Sequence, residues 1–377
     1  MTKIKKELRD CFRFFFRTTA EEKRIVFYSE YRSYYSYFEG AIRELLETHK
    51  APLCYVTSDF SDPILQSPLP IRTFYVHRLL PLFMLFLDAR VCVMTLTDLN
   101  KFHLRRSMRN VHYVYIFHSL ISTHMQYREG AFDHYDTILC AGPHHMREIR
   151  QREEMINLPK KNLVPAGYYR VERVKEAFLS APLKLSSEPK VVLVAPSWGK
   201  QNILEVCGAS LVRLLIAAGH HVTVRPHPET MRRSPELIAN LEDEFGRMKG
   251  FILEKSVAGF SSLVAADVLI TDWSGVAFEY AFGTERPVLF LDVPKKVNNP
   301  SFETLHLQPL EVVAREKIGI VISPTRLEEV IPAITKLVEK REEYHTCIRT
   351  LRSETVYELG SSSRAMGESI MSLARSL

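Results

Sequence analysis

At 377 residues, with 46% hydrophobic and 25% charged residues, the chain has the composition of a globular protein long enough for two domains, which excludes a disordered one. Its net charge of +6 admits anionic partners without choosing between nucleic acid, phospholipid and a nucleotide substrate. Cys11, Cys54, Cys92, Cys140, Cys207 and Cys347 lie scattered with no CxxC pair, which points to reduced, mostly buried thiols in a cytoplasmic protein, not to a disulfide framework or a zinc site.

The opening stretch MTKIKKELRDCFRFFFRTTAEEK is charged throughout and lacks a cleavage site, unlike a signal peptide. No apolar run is long enough to span a membrane; the longest, 79–87, contains Pro81. A helix over 1–22 mixes Lys3, Lys5, Lys6, Arg9, Arg13 and Arg17 with Phe12, Phe14, Phe15 and Phe16. Two readings stay open for it: a helix packed on its own protein, or an interfacial helix on an anionic membrane surface, which Arg105, Arg106 and Arg109 would also suit.

Strands and helices then alternate. Residues 24–29 read as a buried strand and 38–49 as an amphipathic helix, with further strands at 52–57, 90–95, 111–117 and 137–141. The stretch LSAPLKLSSEPK, 179–190, has the composition of a linker. A second alternating series follows: strand KVVLVA, helix ILEVCGASLVRLLIAAGH, strand HVTV, a helix starting at Ser234-Pro235, then FILEK, a helix in VAGFSSLVAA, and strand DVLIT. Helices over 326–343 and 350–376 close the chain. The expected organisation is an N-terminal helix (1–22), an α/β acceptor domain (23–180), an α/β donor domain (190–345) and a C-terminal helix (346–377) packing back. Two alternating halves predict two doubly wound, Rossmann-like domains facing across a cleft.

In open parallel sheets, ligands bind beyond the carboxyl ends of the strands. The chemically capable residues fall there: His118 after VHYVYIF, Ser197 and Trp198 after VVLVA, Arg225 and His227 after VTV, Asp272 and Ser274 after DVLIT. In Arg225-Pro226-His227-Pro228, two prolines stiffen a loop whose Arg can grip a phosphate and whose His, a second catalytic candidate beside His118, can donate to a phosphate oxygen or protonate a leaving group. Ser274 and Gly275 stand at a helix start, where first-turn amides favour an anion and glycine admits close approach. His118 is a candidate general base toward a hydroxyl. His112, His124, His134, His144 and His145 match no metal-ligand spacing, so no metal is expected. No Walker loop, GxGxxG or GxSxG is present.

The stretches YIFHS, TILCAG, AGYYRVERV, VAPSWGK, VRPHPE and DVLITDWSGVAFEYAFGTERPVLFLD, in this order over most of 110–322, resemble the CDP-glycerol glycerophosphotransferase family, the TagB/TagF-like transferases of teichoic acid and capsule synthesis. The resemblance implies a GT-B-type fold and transfer of a polyol phosphate from a CDP-linked donor to a hydroxyl of a lipid-linked or polysaccharide acceptor, releasing CMP. It implies no tightly bound cofactor and a peripheral place on the cytoplasmic membrane face. His118 would take the acceptor proton; Arg225, His227, Ser274 and Gly275 would hold the diphosphate, with Ser197 and Trp198 beside them; Asp272 would orient the loop or a donor hydroxyl. Two departures stand out. The family's His-Gly and Pro-Leu-Lys-like run is His118-Ser119-Leu120-Ile121 here, and its TDYSS-like turn is TDWSG. The donor alcohol therefore stays open among glycerol, ribitol and others. The alternative is a GT-B glycosyltransferase using a nucleotide sugar. A nucleic-acid partner is not expected, because the polar residues gather at strand ends and form no basic face with interleaved aromatics.

Overall fold

The computed structural model describes residues 2–102, 104–182, 190–257 and 259–376; positions 183–189 of the expected linker lie outside the described residues. The chain divides into two compact units, Met1–Tyr169 with Asn298–His306 and Thr355–Leu377, and Arg170–Val297 with Leu307–Glu354. The first unit thus takes back two later segments, where a linear division gives it only the N-terminal half.

In the first unit, α1 (Lys3–Arg17) precedes β1 (Ile25–Ser29), α2 (Tyr35–Glu47), β2 (Cys54–Thr57), β3 (Arg72–Tyr75), α3 (Leu80–Leu85), β4 (Val91–Met94), β5 (His112–Ile116), β6 (Thr137–Cys140), α4 (Pro143–Met155) and β7 (Asn162–Pro165). The seven strands are parallel in the order β3-β2-β1-β4-β5-β6-β7. The central strands are apolar runs buried on both faces, as parallel sheets require. The strands β3 and β7, absent from the sequence reading, are the two sheet edges; they are short and partly exposed, so no apolar run marks them.

From the boundary residue, α5 (Tyr169–Ser180) leads into the second unit: β8 (Val191–Val194), α6 (Ile203–Ala217), β9 (His221–Val224), α7 (Pro228–Arg233), α8 (Pro235–Phe245), β10 (Phe251–Leu253), α9 (Ser261–Ala265), β11 (Val268–Thr271), α10 (Val276–Thr284), β12 (Val288–Leu291), α11 (Leu310–Ile318), β13 (Gly319–Ile322), α12 (Val330–Glu339) and α13 (Arg341–Thr355). Its six parallel strands run β10-β9-β8-β11-β12-β13, the doubly wound order with its switch point between β8 and β11. The helix expected over 257–266 forms only at α9, leaving a loop before it.

The last helix, α14 (Ser362–Ser376), returns to the first unit and packs on α2. The two approach at small residues: a Cβ on Gly367 would lie 2.4 Å from Glu44 Cγ, and one on Gly40 would meet Ser363 Oγ at 2.8 Å. Met366, Ile370 and Ala374 enter the same core as Phe38, Ala41 and Leu45.

The helix α1 packs on its own unit through one face and leaves an apolar stripe exposed on the other. Glu7 and Asp10 are buried: Glu7 accepts from His77 N (2.6 Å) and Leu79 N (2.8 Å), and Asp10 from Tyr75 N (3.1 Å). Phe14 packs on Phe74 and Phe83. Meanwhile Ile4, Leu8, Phe12 and Phe16, spaced four apart, are each more than half exposed, Phe16 at 75%. The stripe ends beside basic side chains; Arg17 lies over the Phe12 ring. Arg106 does not join a basic surface: its guanidinium is turned onto Asp136 (2.9 Å) and the Tyr113 ring. Among the described residues no helix is long and apolar enough to cross a membrane.

Candidate active site

In the first unit, the register pairs Met94 with Tyr115, so the residues after β4 and β5 emerge side by side. Thr95 Oγ1 lies 2.8 Å from His118 Nδ1, and the Tyr115 hydroxyl 3.3 Å from the same nitrogen. The rings of Tyr34 and Tyr37, at the start of α2 beyond β1, stand 5.7 and 6.1 Å from the imidazole, and Tyr127 stands 5.8 Å away. His118 is therefore held at Nδ1 in a half-buried aromatic cup at the carboxyl end of the sheet.

The other histidines of this region acquire a role that sequence spacing did not reveal. His145 Nε2 donates to Ile121 O (3.0 Å) while its Nδ1 accepts from Ala141 N, and its ring stacks on Phe117 at 3.7 Å. Burial holds it well below the ordinary imidazole range, in the neutral form these bonds need. His144 Nε2 meets Leu120 O at 2.8 Å, and Glu148 accepts from the Thr123 hydroxyl (2.6 Å). Opposite, Asn299 donates to His124 O (2.9 Å) and Asn298 to Gln126 O (2.7 Å). The loop that continues from His118 is thus tied down at both flanks by α4 and by the segment 298–306.

In the second unit, Asp272 is 1% exposed and caps two backbone groups: Oδ1 accepts from Ser197 N (2.7 Å) and Oδ2 from Ile203 N (3.2 Å). It therefore joins the end of β11 to the loop and helix start after β8, across the switch point. Burial pushes its carboxyl up from the usual range, and the Ser197 and Ile203 amides oppose that shift. Ser274 and Gly275 are partly exposed at the start of α10.

His227 caps α7: its Nδ1 accepts from Glu229 N at 3.1 Å, which places the neutral ring's proton on Nε2. Arg225 is turned inward instead of toward solvent. It is 4% exposed, and its guanidinium donates to Ser262 Oγ (3.2 Å), Gly259 O (3.0 Å) and Val257 O, with Glu254 at 3.8 Å. In this conformation it braces the loop before α9, which Arg170 also grips through Val257 O (3.1 Å).

Trp198 is half-buried between cations: Lys296 Nζ lies 4.3 Å and the Arg233 guanidinium 4.9 Å from its ring, with His227 at 6.2 Å. Lys296 was not singled out from sequence, because it sits in the polar run VPKKVNN with no local signature. Burial brings its pKa down to about 8, opposed by Asp272 and Glu229. Trp273, at the TDWSG departure, points away from any such role: it is buried, its indole donates to Val293 O (2.9 Å), and Arg315 stacks on it at 4.0 Å.

Two parallel-sheet α/β units, each doubly wound, give the chain a GT-B-type fold. The family model described as CDP-glycerol:poly(glycerophosphate) glycerophosphotransferase matches residues 11–296, and the chain belongs to that family. No curated protein matches it. Among solved structures, a variant of the wall teichoic acid polymerase TagF is 16% identical, with TM-score 0.59, covering 99% of this chain and 98% of that one. The UDP-GlcNAc 2-epimerase of Neisseria meningitidis is 12% identical (TM-score 0.58; 92% and 99% covered), and that of Methanocaldococcus jannaschii 13% (0.56; 93% and 99%). These likenesses concern the fold; the family match is what decides against a nucleotide-sugar glycosyltransferase.

Proposed function

We propose that the enzyme transfers glycerol phosphate from CDP-glycerol to a hydroxyl of a phosphorylated cell-envelope acceptor, in teichoic acid synthesis, and releases CMP. The acceptor oxygen bonds to the glycerol-bearing phosphorus, the bridging P–O bond of the diphosphate breaks, and CMP leaves with its electron pair. The observation that carries the mechanism is the bonding of His118. In this reading Nδ1–H donates to Thr95 Oγ1, which leaves Nε2 as the basic nitrogen that takes the acceptor proton. Tyr115 stays a neutral phenol, since burial pushes its pKa far up.

The donor diphosphate is assigned to the second unit. Ser274, Gly275 and the α10 amides supply one set of donors, His227 Nε2–H a second, and Lys296 a charge held over Trp198. Asp272 positions the Ser197–Trp198 loop, and Arg225 supports the site through the loop it braces. The exposed stripe of α1 rests on an anionic membrane surface, with Leu82 and Phe86 of the adjoining α3 region also exposed.

The test offers CDP-glycerol, CDP-ribitol and UDP-sugars separately and identifies the nucleotide released. CMP from CDP-glycerol with a new phosphodiester is expected. UDP together with a glycoside product would replace this reading with the glycosyltransferase one.

A further inference from the structure

A cavity of about 480 Å³ opens at the carboxyl ends of β1, β2 and β3, in the size range of small-molecule sites. Its walls are Tyr31 after β1, Ser58 to Ser61 after β2, Tyr75, His77 and Arg78 at the end of β3, and the first turn of α1. The carboxylates in the wall are already engaged. Glu7 accepts the two backbone amides after β3, and Asp59 accepts from Ser61 Oγ (2.6 Å) and pairs with Arg32 (3.4 Å). Among the described residues, Lys3 and Arg78 have no carboxylate partner; Lys3 lies over the Phe60 ring at 5.6 Å, and both side chains are exposed. The cavity therefore presents two exposed cations, aromatic rings and hydroxyls together, with the Glu7 and Asp59 carboxylates held by other groups.

A line of tyrosines connects it to the base. Tyr31, in the cavity wall, stands 6.0 Å from Tyr34, ring to ring, and Tyr34 stands 5.7 Å from His118. Tyr37 flanks the same path, 6.2 Å from Tyr34.

We propose that this cavity is the acceptor subsite: Lys3 and Arg78 hold a phosphate of a hydroxylated polyol chain, and the tyrosine line carries the chain's terminal hydroxyl to His118. The proposal rests on the transferase reading and adds where the acceptor binds and which groups recognise it. Arg suits the phosphate, whose oxygens match its planar donors, and tyrosine faces and hydroxyls suit a polyol.

The probe is a fluorescent tetra(glycerol phosphate), with an uncharged oligoglycerol of the same length as control. Binding is measured without donor, on the full chain, for wild type, the Lys3→Ala/Arg78→Ala pair and Tyr31→Ala. The charge pair should bind about tenfold more weakly. In the coupled assay its acceptor KM should rise by a similar factor, while the CDP-glycerol KM and CMP release to water stay unchanged. Acceptor binding within twofold of wild type, equal binding of the uncharged chain, or a parallel rise in the CDP-glycerol KM would each overturn the assignment. Competition by a short alkyl phosphate places the recognised phosphate on a lipid carrier, and lack of it places the phosphate in the chain; both fall within the proposal. If the wild type releases no CMP from CDP-glycerol, the transferase reading fails, yet the donor-free binding arm still decides the subsite.

Discussion

Replacing Asp272 by Ala separates a positioning role from a ligand role. Its carboxylate is the acceptor for Ser197 N and Ile203 N, both in buried surroundings. Its own ionisation is not what stabilises the fold, since burial pushes its pKa upward. What the substitution removes is the partner of two buried amides, each costing about 1–3 kcal/mol when orphaned. The loss should therefore be about 3 kcal/mol, with Asn, which keeps one oxygen, near half of it. For a unit of this size that is a fall of roughly 6–12 °C in Tm. Differential scanning calorimetry gives the Tm, and titration with CDP-glycerol gives donor affinity, which should weaken because the Trp198 loop is no longer tied to β11. A Tm within about 2 °C of wild type, combined with a large loss of donor affinity, would refute the reasoning and make Asp272 a donor contact.

Lys296 is protonated below its pKa of about 8 and loses its charge above it, so donor affinity should hold at neutral pH and fall as pH rises through that value. Lys296→Arg should carry the affinity to higher pH; a flat wild-type profile by calorimetry would remove Lys296 from the diphosphate site. The double change Phe12→Ser/Phe16→Ser removes two exposed rings from the α1 stripe and leaves Glu7, Asp10 and Phe14 in place. At about 1.4 kcal/mol for each half-inserted ring, co-sedimentation with anionic vesicles should drop roughly 100-fold with Tm unchanged, and undiminished sedimentation would contradict membrane contact there.

The alternation of apolar runs made the two α/β units legible, and strand ends located His118, Ser197, His227, Asp272 and Ser274, because buried parallel strands announce themselves locally. The rest depends on contacts distant in sequence. Nothing around His144 and His145 says that they reach back to Leu120 and Ile121. Arg225 reads as a phosphate ligand in its proline-framed loop, yet its orientation is set by the carbonyls of Val257 and Gly259. Trp273 reads as a change in donor pocket, but its indole is fixed to Val293. The α1 sequence left open which face packs inward; only the buried Glu7 and Asp10, an inversion of ordinary amphipathicity, show which residues turn outward.

The account's central claim is that His118 is the base, and His118→Ala tests it most directly in a single-turnover assay with radiolabelled CDP-glycerol and a glycerol-phosphate acceptor. The account predicts that label transfer falls by about 10²–10⁴-fold while the Kd for CDP-glycerol stays within twofold of wild type. Undiminished transfer, or a loss explained entirely by weaker donor binding, would contradict it.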